Sequence, residues 1–258
     1  VIFGRMLVAT VCFALFWGRL KKEKVQKADI KPILLMGFFE PCLYFTFEAR
    51  AIVYTTASQA GMITAILPLL VAIGATIFLG ERIARQTIAG FALAIAGASL
   101  LSVSGEITTE APNPLLGNFL EFLAMVSAMG YTISLKHLSS NYSPLFLTAI
   151  QSWVGAVFFS FFLLSPATVL PTTFVPLPAL AVFYLGSCVT IGAYFLYNFG
   201  VSKLPASQAS AYINLIPVFT VVMGFLFLGE TFTKAQALAS LLVFLGIYVS
   251  QRRPRPLA

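Results

Sequence analysis

Glu40 is the residue with the most chemistry to explain. It falls about nine residues into an apolar run from 31 to 50, with Pro41 beside it, and a carboxylate at that depth in an apolar helix normally faces a partner or a wet cavity. Such a group can hold an amine or exchange a proton. The alternative is a structural carboxylate, paired with a basic residue such as Arg50 or kept protonated by burial. Tyr44 and Glu48 follow at i+4 and i+8, so in a continuous helix all three share one broad face. Tyr194 and Asn198 lie one turn apart on a later run, and Ser207, Ser210 and Asn214 form an i, i+3, i+7 stripe on the next. Polar side chains on such helices line a path or bond to a neighbouring helix. The candidate binding set is therefore Glu40, Tyr44, Tyr194, Asn198, Ser210 and Asn214, with Glu40 also the candidate proton carrier.

Other polar residues carry structural expectations. Pro68 and Pro217 each remove one backbone hydrogen bond near the middle of a run, breaking or kinking the helix and freeing a carbonyl. Glu81 and Glu230 stand where one helix stops and the next begins, and a carboxylate there accepts orphan backbone N–H groups, so both are expected to be caps. Gln59 and Gln208 start their helices and are expected at the interface, and Glu121 is expected as a first-turn anion of the run from 115 to 135.

Several chemistries are excluded by what the chain lacks. His137 is the single histidine, beside Lys136 at a helix end, and reads as a solvated cation. Cys12, Cys42 and Cys188 are dispersed with no Cys-x-x-Cys spacing, so neither a metal site nor a disulfide framework is expected. No phosphate-binding loop or dinucleotide turn occurs. The reading is of a chain that is not an enzyme and needs no cofactor and no metal.

The elements that must position these residues follow from composition. At 59% hydrophobic and 10% charged residues, with a mean hydropathy of +0.92, the chain is far more apolar than a soluble domain, which carries about 25% charged residues. Its solvent is lipid, and backbone groups in lipid are satisfied by helices. Nine apolar runs of near-spanning length lie close to 1 to 17, 31 to 50, 56 to 79, 86 to 103, 115 to 135, 144 to 164, 178 to 199, 206 to 228 and 235 to 251. The predicted fold class is an all-α polytopic membrane protein. The net charge of +7 does not indicate nucleic acid, because the basic residues mark alternate loops. With the segment after the first run placed in the cytoplasm, thirteen of the sixteen lysines and arginines fall inside and only Arg5, Arg50 and Lys234 outside. The C-terminus is then cytoplasmic.

The runs also repeat. Ala57-Ser58-Gln59-Ala60, Pro68 and Leu79-Gly80-Glu81 return 149 residues later as Ala206-Ser207-Gln208-Ala209, Pro217 and Leu228-Gly229-Glu230. In the charge-derived orientation the first copy runs inward and the second outward, so the repeats are inverted, as in many secondary transporters. The first repeat is placed at 1–105 and the second at 114–252. The run at 115 to 135 has no counterpart, which predicts a further helix before Val1 and a five-plus-five design with nine helices in this chain and the first helix missing. Glu40 aligns with Val189 and Glu48 with Tyr197, a chemical asymmetry that suits binding of a polar substrate off the pseudo-axis.

The duplicated set Pro68, Gly80, Glu81, Gly90, Gly97 and Pro217, Gly229, Glu230, Gly246, together with Arg5 near the outer end of the first run, resembles the EamA-type transporters of the drug/metabolite transporter superfamily. The departures are the absent first helix and Ala239 where the first copy has Gly90. The resemblance implies a carrier that moves small metabolites by alternating access, often as an exporter. The expected function is export of an amino acid or similar small metabolite across the inner (cytoplasmic) membrane, with the lipid bilayer and a small-molecule substrate as partners, no nucleic acid, and monomer or homodimer both open. The rival readings are a non-transporting assembly or sensor subunit and, with less support, a membrane-embedded enzyme.

Overall fold

The computed structural model describes residues 1–81, 85–103, 108–109, 111–165, 168, 173–229 and 233–251. These are almost entirely helical, with no β-strand among the described residues. In chain order the helices are α1 (Ile2–Ala14), the short α2 (Trp17–Leu20), α3 (Ile30–Gly37), α4 (Tyr44–Tyr54), α5 (Ala57–Ile63), α6 (Leu67–Leu79), α7 (Arg85–Val103), α8 (Pro114–Leu138), α9 (Pro144–Phe162), α10 (Pro176–Tyr184), α11 (Tyr194–Lys203), α12 (Ala206–Ala211), α13 (Leu215–Met223) and α14 (Lys234–Gln251). Several run on through tighter or wider turns. Among the described residues five continuous stretches are long and apolar enough to cross a membrane: Lys27–Tyr54, Ala57–Leu79, Pro114–Leu138, Pro144–Phe162 and Pro176–Lys203. Ile2–Ala14, Gln86–Gly97 and Lys234–Gly246 are shorter apolar helices. Such a set makes this a multi-pass membrane protein.

Irregular turns recur at nearly the repeat offset. A π-helical stretch at Phe38–Leu43 returns at Leu185–Ala193, and the 3-10 turn Thr64–Ile66 between α5 and α6 returns as Tyr212–Asn214 between α12 and α13. Both α6 and the wide turn that follows α13 stop at a glycine in the left-handed region, Gly80 at φ 71° and Gly229 at φ 65°. A side chain would be strained there, which is why Gly closes both.

Contacts divide the chain into two compact units, one of Val1–Phe45 with Gly130–Pro205 and the other of Thr46–Met129 with Ala206–Ala258. The first unit is built on α1, α3, the C-terminal part of α8, and α9 to α11. Its apolar centre is Met6, Phe45 and Phe159, against which Ile2, Tyr44, Phe158 and Tyr194 pack. Helices approach closely at Gly155, where a Cβ would lie 2.4 Å from Pro41 Cγ. At the loop end, Asp29 is buried and accepts from the Tyr142 hydroxyl at 2.8 Å and Asn141 Nδ2 at 3.3 Å, while the Gln26 N–H donates to Tyr142 Oη at 3.0 Å. The Gln26 N–H lowers the Tyr142 pKa, but burial, the hydrogen bond to Asp29 and the charges of Asp29 and Glu23 outweigh it and raise it.

In the second unit α7 and α14 lie side by side. A Cβ on Gly97 would meet Val243 N at 2.7 Å and Ala239 O at 2.8 Å, and one on Gly246 would meet Ala94 N at 2.5 Å and Gly90 O at 2.6 Å. Small residues thus let two backbones touch, the usual solution where lipid removes any hydrophobic drive between helices. Ile63, Ile66, Leu69, Ala72 and Val243 form an apolar cluster in the same unit.

A buried polar core as the candidate functional site

The first unit encloses a set of polar side chains drawn from α1, α8, α9 and α11 and from the wide turns Phe38–Leu43 and Leu185–Ala193. Glu40 is 7% exposed and has an extended backbone, φ −144° and ψ 117°, inside the wide turn between α3 and α4. The helix is therefore broken at the carboxylate. The Tyr194 hydroxyl, from the first turn of α11, donates to Glu40 Oε1 at 2.5 Å. On α1, half-buried Arg5 donates through Nε to Thr190 Oγ1 at 3.0 Å, and its guanidinium lies 4.7 Å from the centre of the Phe45 ring. That placement combines a hydrogen bond with a cation–π contact. Both a carboxylate and a guanidinium are thus fixed inside this unit.

A second group lies one turn along α11. The Tyr131 hydroxyl donates to Asn198 Oδ1 at 2.5 Å and also sits 2.9 Å from Gln151 Oε1, so one phenol proton is shared between two amide oxygens. Asn198 Nδ2 donates to Thr148 Oγ1 at 2.9 Å, and the Thr148 hydroxyl donates to Pro144 O at 2.7 Å. Tyr131, Thr148, Gln151 and Asn198 are all buried at 2% exposure or less. The Tyr131 ring stands edge-on to Tyr194, centroids 6.5 Å apart, and stacks on Tyr197 at the same spacing. Tyr131 therefore joins the Glu40–Tyr194 pair to the amide chain by ring contact. Thr132 and Tyr197 exchange a further hydrogen bond of 3.0 Å. Lys136 Nζ donates to Val201 O at 2.9 Å and Leu204 O at 2.7 Å, satisfying carbonyls at the end of α11.

The structure brings Glu40, Tyr194 and Asn198 together. Tyr44 is near but not as expected: the break at Glu40 destroys the i, i+4 register, and Tyr44 packs instead against the Met6, Phe45 and Phe159 cluster. Ser210 belongs to the second unit, where it is fully buried and donates to Ser207 O at 3.2 Å. Asn214 lies on the 3-10 turn of that unit, and its side chain falls outside the described residues. Tyr131, Thr148 and Gln151 were not singled out from the sequence. The signal was present, since Gln151 is an amide eight residues into an apolar run.

Pro68 sits in the first turn of α6, directly after the 3-10 turn, where its missing N–H leaves no interior bond unmade. Pro217 occupies the first turn of α13, and its side chain is not among those described. Glu81 is a cap, and among the described residues the helix start it closes is that of α12. Its Oε1 accepts from Ala206 N–H at 2.9 Å, and its Oε2 accepts from Ser207 N–H at 3.3 Å and from the Ser207 hydroxyl, closing the start of α12. Glu230 lies outside the described residues. Glu121 departs from expectation: it lies two turns into α8, is 1% exposed, and its Oε2 meets no hydrogen-bond partner among the described residues. Gln59 is buried and takes a bond from Asn118 Nδ2 at 3.1 Å, while Asn118 Oδ1 accepts from the Thr55 hydroxyl. Its repeat partner Gln208 is exposed. No cluster of three or more metal-ligating side chains occurs among the described residues.

Apolar helices of spanning length with a buried polar core between them define a multi-pass membrane protein. Residues 1–103 and 115–251 match the EamA-like transporter family, and the chain belongs to that family, a transporter family rather than an enzyme family. It is 28% identical to the uncharacterized transporter YetK of Bacillus subtilis, over 95% of this chain and 76% of that one. It is also 28% identical to a protein of Streptantibioticus cattleyicolor named "Probable terminal-alkyne amino-acid exporter", over 97% of this chain and 82% of that one. A crystal structure 19% identical in sequence superposes with a TM-score of 0.69, covering 96% of this chain and 88% of that one, and so shares its fold.

Proposed function

We propose that this protein is a secondary transporter that exports an amino acid or similar small metabolite across the cytoplasmic membrane by alternating access. One observation carries the reading: Glu40, buried at a helix break and bonded to Tyr194, shares a compact unit with Arg5. An amino acid at neutral pH presents an ammonium and a carboxylate. Glu40 is the acceptor for the first and the Arg5 guanidinium the donor for the second, and Tyr131, Gln151 and Asn198 supply neutral polar contacts. The family membership and the relative named as an amino-acid exporter support the substrate class and direction. Glu40 is also the proton carrier in this mechanism, exchanging its proton as the substrate amine arrives or leaves.

The architecture we infer for alternating access is a pair of inverted five-helix repeats, with nine helices in this chain and repeats over 1–105 and 114–252. The family matches the chain twice, over nearly these ranges, and the π-helical stretches, 3-10 turns and left-handed glycines recur at nearly one offset. Ser210 and Asn214 remain candidate contributors from the second repeat. The C-terminus is placed in the cytoplasm by the loop charges.

Purified protein in proteoliposomes, screened over an amino-acid and metabolite panel with and without an imposed pH gradient, tests the reading. The expected result is stimulated flux of at least one zwitterionic solute that responds to the gradient. Absence of flux for every solute would overturn it.

A further inference from the structure

The outer surface of the first unit carries a groove that the transport reading does not use. It runs between α3 and α9 with a volume of about 1010 Å³, and Leu34, Phe38, Val154, Val157 and Phe161 form much of its wall. Gly37 lets the helices meet at its base, since a Cβ there would lie 3.0 Å from Val154 Cβ. Leu34, Phe38, Val157 and Phe161 are 45% to 64% exposed, so the walls are open to the surrounding lipid. Two charges line it, both exposed: Lys27 on the 3-10 turn that leads into α3 and Lys31 in the first turn of α3. No Asp or Glu is in the lining among the described residues. Asp29, between the lysines, is turned to Tyr142 and Asn141 and fixes this end of α3 instead of neutralising it.

The dimensions and the charge agree on one occupant. From Lys27, at the loop end, to Phe38 the α3 wall is about 17 Å long, close to half of the roughly 30 Å hydrocarbon core and so to the depth of the leaflet that starts at the lysines. The volume stands at the upper limit of small-molecule sites, roughly 300–1,000 Å³, and the apolar walls offer a polar metabolite nothing to bond. We propose that this groove holds an anionic phospholipid of the cytoplasmic leaflet, its acyl chains against α3 and α9 and its phosphate between Lys27 and Lys31. Basic residues at the mouth of an intramembrane groove are suited to anionic headgroups. The leaflet assignment rests on the charge-derived orientation, not on transport activity.

Trp153 lines the groove and reports on it directly. The chain has two tryptophans, so Trp17→Phe leaves Trp153 as the only one. This variant is placed in phosphatidylcholine vesicles containing a minor fraction of either dibrominated phosphatidylglycerol or dibrominated phosphatidylcholine, whose bromines quench tryptophan on contact. Phosphatidylglycerol is expected to quench at about tenfold lower mole fraction, and Lys27→Gln with Lys31→Gln is expected to abolish that preference while leaving quenching by phosphatidylcholine intact. Equal quenching by the two lipids would overturn the proposal, as would a preference that survives loss of both lysines. Quenching by neither lipid would overturn it too, and would show that protein covers the groove.

Discussion

A charged side chain at the centre of a membrane helix costs about 3 kcal/mol on insertion, and Glu40 offsets that cost locally by accepting from Tyr194. Two substitutions separate its roles. Glu40→Gln keeps shape and hydrogen bonding but removes charge and proton exchange, so flux is expected to fall at least about tenfold and to lose its response to an imposed pH gradient. A Glu40→Gln protein with full, gradient-sensitive flux would show that the carboxylate does not couple transport. Tyr194→Phe removes one donor from the carboxylate and is expected to raise KM several-fold while leaving the pH response in place, as roughly 1–3 kcal/mol of charge-assisted bonding is lost. Glu121 poses the opposite case, because its Oε2 has no partner among the described residues. Glu121→Leu removes a buried carboxyl oxygen left without a hydrogen bond and is expected to raise the thermal midpoint of the purified protein by a few degrees, checked by dye-monitored unfolding in detergent. From sequence, Glu40 stood out because depth in an apolar run is visible in one dimension. Glu121 departs from the first-turn reading although the run's start is legible, because with Pro114 opening the helix position 121 falls two turns in.

Elements were legible where their signal is local, and illegible where it depends on a distant partner. Apolar runs mark the helices, and Leu-Gly-Glu marks their ends, since Gly80 and Gly229 both take the left-handed conformation that the motif requires. The partner of Glu81 could not be read that way: it caps α12, 125 residues further on, and no spacing rule connects the two. Glu81→Ala leaves the Ala206 and Ser207 amides of a helix start unmet, and about 1–2 kcal/mol of stability is expected to go with them. Faster hydrogen exchange confined to the α12 amides would confirm it; unchanged exchange there would mean that the cap contributes nothing. Helix contact through small residues sets a larger effect. Gly246→Val brings a side chain to within van der Waals overlap of Ala94 and Gly90, so α14 must move from α7, and loss of more than about 2 kcal/mol or failure to purify is expected. Gly192→Ala, where a Cβ meets nothing within 4 Å, is the matched control and is expected to behave as the parent.

At the scale of the molecule, inversion is the property on which alternating access depends, and it is a statement about sidedness that side-chain contacts do not carry. It was inferred from two one-dimensional patterns, the 149-residue offset and the alternation of basic loops. The polar core, by contrast, was only half legible, because Tyr131, Thr148 and Gln151 meet Asn198 through helices far apart in sequence. Sidedness has a direct test in a repeat-related pair. Val53, exposed at the end of α4, and Ser202, near the end of α11, stand at the repeat offset from each other. In parallel repeats both positions would face the same side. In inverted ones Val53 is periplasmic and Ser202 cytoplasmic. With Cys12, Cys42 and Cys188 replaced by Ser, a membrane-impermeant maleimide added to intact cells is expected to label Val53→Cys and to spare Ser202→Cys until the membrane is opened. Labelling of both from outside, or of both only after the membrane is opened, would remove the inverted repeat and with it the structural basis for rocking one half of the protein against the other, whereas labelling of Ser202→Cys alone would keep the inversion and reverse the orientation.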